Sequence, residues 1–243
     1  DMLKGIKLNI PDKTTMTPNG ALFRTDKKGF LPTMMEELYN ERVTYKKKML
    51  SAQQEFENTK DNKYKKLISR YNNIQMARKI SLNSAYGAIG NQYFRYYDKA
   101  IAEGITKSGQ LSIRWIENRL NKYLNNILKT DDDYVIASDT DSVYLTLDKL
   151  VTKTIKSDNA LSKTINFLDK VASESIEPYI TKSYDELKQY TNAFANKMFM
   201  KREVIADKGI WVAKKRYILN VWNSEGVSYK DCLLYTSPSP RDT

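Results

Sequence analysis

The chain has 243 residues, 41% of them hydrophobic, with 40 Lys and Arg against 29 Asp and Glu, a net charge of +11 at pH 7, one cysteine and no histidine. That size allows one large or two small domains with real cores. Without histidine or a second cysteine, His-based acid–base chemistry, the usual zinc sites and an internal disulfide framework are all excluded, while the basic excess points to a polyanion such as nucleic acid or a nucleotide.

The first thirty residues, holding Pro11, Pro18, Gly20 and Gly29, read as irregular or short-strand connections. Within them NGALFRTDKKGFLP predicts a small hairpin, and a helix should begin at Pro32 and Thr33. That helix runs to about Asn58. After a polar break over 59–62, a second helix runs to about Tyr86, where Gly87 and Gly90 interrupt it. Two long helices with a short link form an antiparallel hairpin, and mirror positions about its turn pair Arg42 with Lys79, with Lys46 one turn from Arg42. Three cations thus converge at the open end, with Asn83 one turn beyond Lys79, a cluster suited to nucleotide phosphates.

NQYFRYYDKA is an aromatic-rich turn, and Ala100 to Leu128 has apolar residues at helical spacing, predicting a long buried helix with Trp115 in the core. The next segment, YVIASDTDSVYLTL from Tyr134 to Leu147, sets Asp139 and Asp141 at the tip of a hairpin. Two carboxylates held that close repel unless a cation lies between them, and the economical occupant is Mg²⁺, which takes hard oxygen ligands and leaves positions for water or phosphate. A solvated turn that merely favours aspartate is the plain alternative. A polar helical region follows from about Leu150 to Tyr190, with a break near Pro178. Phe199 to Trp222 then reads as strands carrying Glu203 and the KKRY run of Lys214, Lys215, Arg216 and Tyr217. Helices packed on antiparallel strands indicate an α+β fold. The last twelve residues, CLLYTSPSPRDT from Cys232 to Thr243, break from their neighbours in composition and read as a non-native tail.

Cations gather in two stretches: 11 Lys and Arg against 6 acids over Thr33–Ile80, and 7 against 2 over Lys197–Arg216. No apolar run approaches the roughly 20 residues of a spanning helix and no signal-peptide pattern opens the chain, so no membrane partner is expected and the location should be cytoplasmic.

RKISLNSAYGAIGN, with Lys79, Asn83, Ser84, Tyr86 and Gly87, resembles motif B of the family B DNA polymerases, K-x-x-x-N-S-x-Y-G. SDTDSVYL resembles their motif C, and AKKRY their K-K-x-Y motif at the primer terminus. All three occur in the family's order, and the running likeness in GNQYFRYYD, IRWIENRLNKYLN and KKRYILNVW is to the T-even-type bacteriophage branch. The resemblance implies DNA-directed DNA polymerase activity by two-metal-ion catalysis. It also implies a layout of a palm-proximal connection (1–32), a helical fingers hairpin (33–90), a palm (91–231) and the tail (232–243). Arg42, Lys46, Lys79 and Asn83 would bind the triphosphate of the incoming deoxynucleotide, and Tyr86 and Gly87 would pack against the nascent pair. Asp141, Asp139 and Glu203 would hold metal, with Glu225 as a further palm carboxylate near the site, and Lys79 would assist the chemistry. Lys214, Lys215, Arg216 and Tyr217 would hold DNA. Primer-template DNA and deoxynucleoside triphosphates are the implied partners, joined in the intact protein by a sliding clamp and a single-strand-binding protein, with two Mg²⁺ ions as cofactor in the cytoplasm of a host cell.

The family's motif A is not in this sequence, which is therefore expected to be a fragment starting just after it and inactive alone. Two rival readings stay open: a non-catalytic nucleic-acid-binding remnant, and a DxD metal-dependent glycosyltransferase, which explains the aspartates and leaves Lys79, Asn83, Tyr86 and KKRY unexplained.

Overall fold

The computed structural model describes residues 2–155, 161–213, 215–224 and 227–235. The chain divides into two compact units, Asn9–Lys107, and Asp1–Leu8 with Ser108–Thr243.

The unit Asn9–Lys107 opens with strands β1 (Thr14–Met16) and β2 (Leu22–Arg24), paired antiparallel with Thr15 opposite Phe23. Asn19 and Gly20 form the turn of this hairpin, whereas the sequence suggested that they begin it. Gly20 takes φ +84°, a conformation open to glycine at no steric cost, so the turn falls on Asn-Gly and draws Thr14–Met16 in as the first strand. Helices α1 (Phe30–Thr59) and α2 (Asn62–Ile89) follow. Helix α1 starts ahead of Pro32, since proline in a first turn forfeits an N–H that has no helical partner anyway. The reversal is two residues long: Lys60 closes α1 in the left-handed conformation, and the Asp61 carboxylate accepts from the Lys63 N–H at 2.9 Å to cap α2. Gly87 does not end α2, which continues to the buried Ile89. One glycine inside a helix costs about 1 kcal/mol, and the anchoring of Ile89 offsets a cost of that size. Asp98 then caps the next helix through Ala100 N–H at 2.8 Å and Ile101 N–H at 3.1 Å.

That helix, α3 (Lys99–Leu128), continues into the second unit, where its apolar residues recur three to four apart. Leu111, Trp115, Ile116 and Leu120 pack against Ile176, Ile180, Tyr184 and Leu187 to form the main core, and Leu124 and Leu128 join Tyr134 in a second cluster. The Trp115 indole stays buried because its N–H donates to the Ser183 carbonyl at 3.0 Å. Strands β3 (Val135–Asp139) and β4 (Ser142–Leu145) form an antiparallel hairpin. Then come α4 (Asp148–Thr154), α5 (Leu161–Val171), a π-helical turn (Ala172–Ile176) and α6 (Glu177–Thr191). The expected break at Pro178 does not occur. Pro178 lies in the first turn of α6, just after the π-helical turn, where its missing N–H removes no bond the helix needs.

Strands β5 (Val204–Ala213), β6 (Arg216–Ser224) and β7 (Val227–Tyr235) make a three-stranded antiparallel sheet in that order. Its start is pinned by Arg202, which ion-pairs with Asp169 of α5, donates to Asn223 of β6 at 2.6 Å, and offers its backbone N–H to Glu177 at 2.9 Å. Gly209 is required by packing: a Cβ there would fall 2.7 Å from Leu219 Cδ2 and 2.8 Å from the Trp211 ring. Strand β7 extends to Tyr235, so the first four residues of CLLYTSPSPRDT have strand backbone. The architecture is α+β, with helices beside small antiparallel sheets. Among the described residues no helix is long and apolar enough to cross a membrane.

Candidate active site

Asp139 ends β3 and pairs with Ser142, so the chain reverses through Thr140 and Asp141 alone. The Asp141 N–H donates to the Asp139 carbonyl at 2.6 Å, and Thr140 is forced to φ +53°. A β-branched residue rarely adopts that conformation, which is held only where its surroundings over-determine it, commonly at functional sites. The Thr140 hydroxyl donates to the Asp139 carboxylate at 2.9 Å, leaving Asp141 exposed at the apex and Asp139 half-buried.

The hairpin is held from below by two asparagines of α3. The Asn121 side-chain oxygen accepts from the N–H groups of Tyr134 (2.9 Å) and Val135 (3.2 Å), and its amide donates to Asp133 at 2.7 Å. Asn125 accepts from the Asp132 N–H at 2.9 Å and donates to the Asp132 carbonyl at 2.8 Å. Lys149 ion-pairs with Asp132 at 2.5 Å and holds that carboxyl below the usual carboxylate range, chiefly through their hydrogen bond. The segment leading into β3 is thus tied to the helix that carries the core. Sequence reasoning missed both asparagines; their spacing of four, one turn of a helix, was the available signal.

Of the KKRY run, Lys215 takes φ +62° where the chain passes from β5 to β6, Arg216 pairs with Ala213, and Arg216 and Tyr217 open β6. Lys214 lies outside the described residues, as does Glu225. Tyr217 sits opposite Trp211, and both rings meet Tyr144 of β4 edge-on, at centroid distances of 5.6 Å and 5.3 Å. Burial pushes the Tyr144 phenol up to about 12, and its hydrogen bond to Tyr217 acts in the same direction. Two motifs about seventy residues apart in sequence are therefore joined by ring contacts, through Trp211 and Tyr144, neither of which the sequence singled out.

In the other unit, Arg42 and Lys46 lie on α1, and Lys79, Asn83, Tyr86 and Gly87 on α2. Glu41 and Arg78, the chain neighbours of Arg42 and Lys79, ion-pair across the hairpin at 2.5 Å, so the mirror register read from the sequence brings those two levels together. Lys46, Lys79 and Asn83 are exposed, and Arg42 Nε is buried with no hydrogen-bond partner among the described residues. Helix α2 carries Lys63, Lys65, Lys66, Arg70, Arg78 and Lys79 and no acidic residue. The Tyr86 hydroxyl is bonded to Thr106 at 2.6 Å.

Glu203, expected on a strand, precedes β5 and is exposed, because Arg202 anchors the chain before pairing with β6 begins. It lies at the opposite end of the β5–β6 ladder from the Lys215 turn, since Val204 pairs with Ser224. Among the described residues no three His, Cys, Asp or Glu side chains converge as a metal-binding group.

An α+β chain that presents a basic helical hairpin, a two-aspartate turn and a Lys-Tyr strand turn, in that order, has the motif set of nucleic acid polymerases. The chain belongs to DNA polymerase family B, whose model matches residues 4–232. Among its relatives, the DNA-directed DNA polymerase of Escherichia phage RB69 is 34% identical over 95% of this chain and 31% of its own length. That of Enterobacteria phage T4 is 33% identical over 88% of this chain and 30% of its own length. The DNA polymerase delta catalytic subunit of Candida albicans is 34% identical over 54% of this chain and 12% of its own. The chain thus spans just under a third of the length of the phage relatives. Family membership disposes of the glycosyltransferase reading.

Proposed function

We propose that this chain is the part of a DNA-directed DNA polymerase that carries the motif B helix, the motif C turn and the primer-end hairpin. In this reading α1 and α2 are the fingers, and the second unit belongs to the palm. The observation that carries it is the two-residue Thr140–Asp141 turn, which places Asp139 and Asp141 at the tip of one hairpin within a chain matched along nearly its whole length by the family.

Phosphoryl transfer asks little covalent work of a protein, so the residues act by positioning and charge. Arg42, Lys46, Lys79 and Asn83 take the triphosphate, and the unsatisfied Arg42 Nε–H leaves one donor to be paired on binding. Lys79 is assigned to the leaving pyrophosphate. Tyr86 and Gly87 bound the nascent base pair. Lys214, Lys215, Arg216 and Tyr217 hold the primer-template, and Lys215 is presented at a turn apex. Asp141 and Asp139 suit magnesium, which binds through one or two carboxylates plus water and substrate phosphates; Glu203 is at most a peripheral carboxylate. Magnesium held there would supply activation of the primer 3′-hydroxyl and neutralisation of the phosphates. Primer-template DNA and deoxynucleoside triphosphates are the substrates, with a sliding clamp and a single-strand-binding protein as further partners, acting in the cytoplasm of an infected host.

Single-nucleotide extension of a labelled primer-template by the full gene product tests this. Extension with Mg²⁺ is expected, falling by about 10³-fold in Asp141→Asn, or roughly 4 kcal/mol of barrier. Tight DNA binding with no extension by the unaltered protein would instead establish a non-catalytic binding protein.

A further inference from the structure

The acid turn and the primer-end hairpin are separate in sequence, and one side chain joins them. Tyr144 stands on β4 opposite Ala137, three residues past Asp141, with its ring against Trp211 and Tyr217. Those two rings face each other across the β5–β6 ladder at 6.3 Å. The bracket is built to close tolerance, since the Trp211 ring occupies the space a side chain at position 209 would need. Trp211 Nε1 is buried and makes no hydrogen bond among the described residues, so the indole serves as an apolar wall. On that wall the Tyr144 hydroxyl meets Ser142, in the acid turn's own ladder, on one side and Tyr217 on the other. Tyr217 and the strand that begins one residue after Asp141 thus share the contacts of one phenol.

We propose that Tyr144 is a positioning residue that holds Tyr217, and with it the primer terminus, in register with the Asp139–Asp141 turn. The proposal rests on the polymerase reading. It assigns Tyr144 no contact with substrate; the residue acts through Tyr217. Because its hydroxyl contributes a hydrogen bond and its ring a packing surface, the two parts are separable by substitution.

The test is a cycle of Tyr144→Phe, Tyr217→Phe and the double variant in the full gene product. Primer-end placement is read from the fluorescence of a 2-aminopurine at the primer 3′ position in the bound complex, and function from single-nucleotide extension. Tyr144→Phe keeps the ring, so its thermal midpoint should match that of the unaltered protein. It should raise the KM for primer-template about 3- to 10-fold, the scale of one hydrogen bond, and leave the KM for deoxynucleotide unchanged. The double variant should be no worse than Tyr217→Phe alone. Multiplying effects of the two substitutions, or an unchanged 2-aminopurine signal and KM in Tyr144→Phe, would overturn the proposal. An unaltered protein that binds the probe but fails to extend it overturns the polymerase reading, while the fluorescence cycle still decides whether Tyr144 and Tyr217 act as a unit.

Discussion

The helical hairpin and the aspartate hairpin both present charge, on scaffolds of opposite character. Over the whole of α1 and α2 the described residues bury Ala52, Gln75 and Ile89, whereas the stretch of α3 from Leu111 to Leu128 alone buries Leu111, Ser112, Trp115, Ile116, Leu120, Leu124 and Leu128. Long helices joined by few buried side chains open locally at little cost, while a turn tied to a packed helix opens only with its core. The cations are thus carried on the yielding scaffold and the aspartates on the unyielding one.

The comparison is broken most readily by a pair of truncations. Ile116→Ala, at a side chain 0% exposed, should cost about 2–5 kcal/mol in denaturant unfolding through the cavity it leaves. Leu50→Ala on α1, 46% exposed, should stay within about 0.5 kcal/mol. Equal losses at the two sites would remove the contrast.

A smaller effect sharpens it at the site itself. Asn121→Ala strands the N–H groups of Tyr134 and Val135 and should cost about 1–3 kcal/mol. Hydrogen exchange of β3 and β4 should accelerate in this variant while that of α1 and α2 is unaltered. Matching acceleration in both units would show that the anchor is not local.

The smallest effect is set by pH. Burial raises Tyr144 and Tyr184 to about 12 in the folded chain, against an ordinary value near 10. Groups raised on folding contribute stability that is complete below the unfolded value and lost as pH climbs through the folded one. The second unit should therefore lose stability between about pH 10 and 12, with tyrosinate absorbance rising late for these two residues. Their ionisation together with the exposed tyrosines would contradict this.

What was legible in the sequence follows the range of the forces involved. The bounds of α1, α2 and α3 and the position of the DTDS turn rest on caps, periodicity and turn chemistry within a few residues, and all emerge within a residue or three of where the pattern puts them. Gly87 and Pro178 misled because local breakers were overridden, one by the anchoring of Ile89 and the other by a π-helical turn. The small hairpin expected over NGALFRTDKKGFLP does form, but with its first strand, Thr14–Met16, ahead of that stretch. The residues proposed to carry the chemistry were nominated by the motifs in which they occur. The site's supports were harder to read: Asn121 and Asn125 offered only their one-turn spacing, and with Tyr144 and Trp211 they act through contacts across 7 to 67 positions.

The proposed polymerase activity requires Lys79 and Asp141 to serve one chemical step. The direct test is a double-mutant cycle of Lys79→Ala and Asp141→Asn on single-nucleotide incorporation by the full gene product, at saturating primer-template and varied Mg²⁺. Two groups acting on one triphosphate should be strongly coupled, so that the double variant is far less impaired than the product of the single effects. Independent, multiplying effects would mean that the two charged elements serve different ligands.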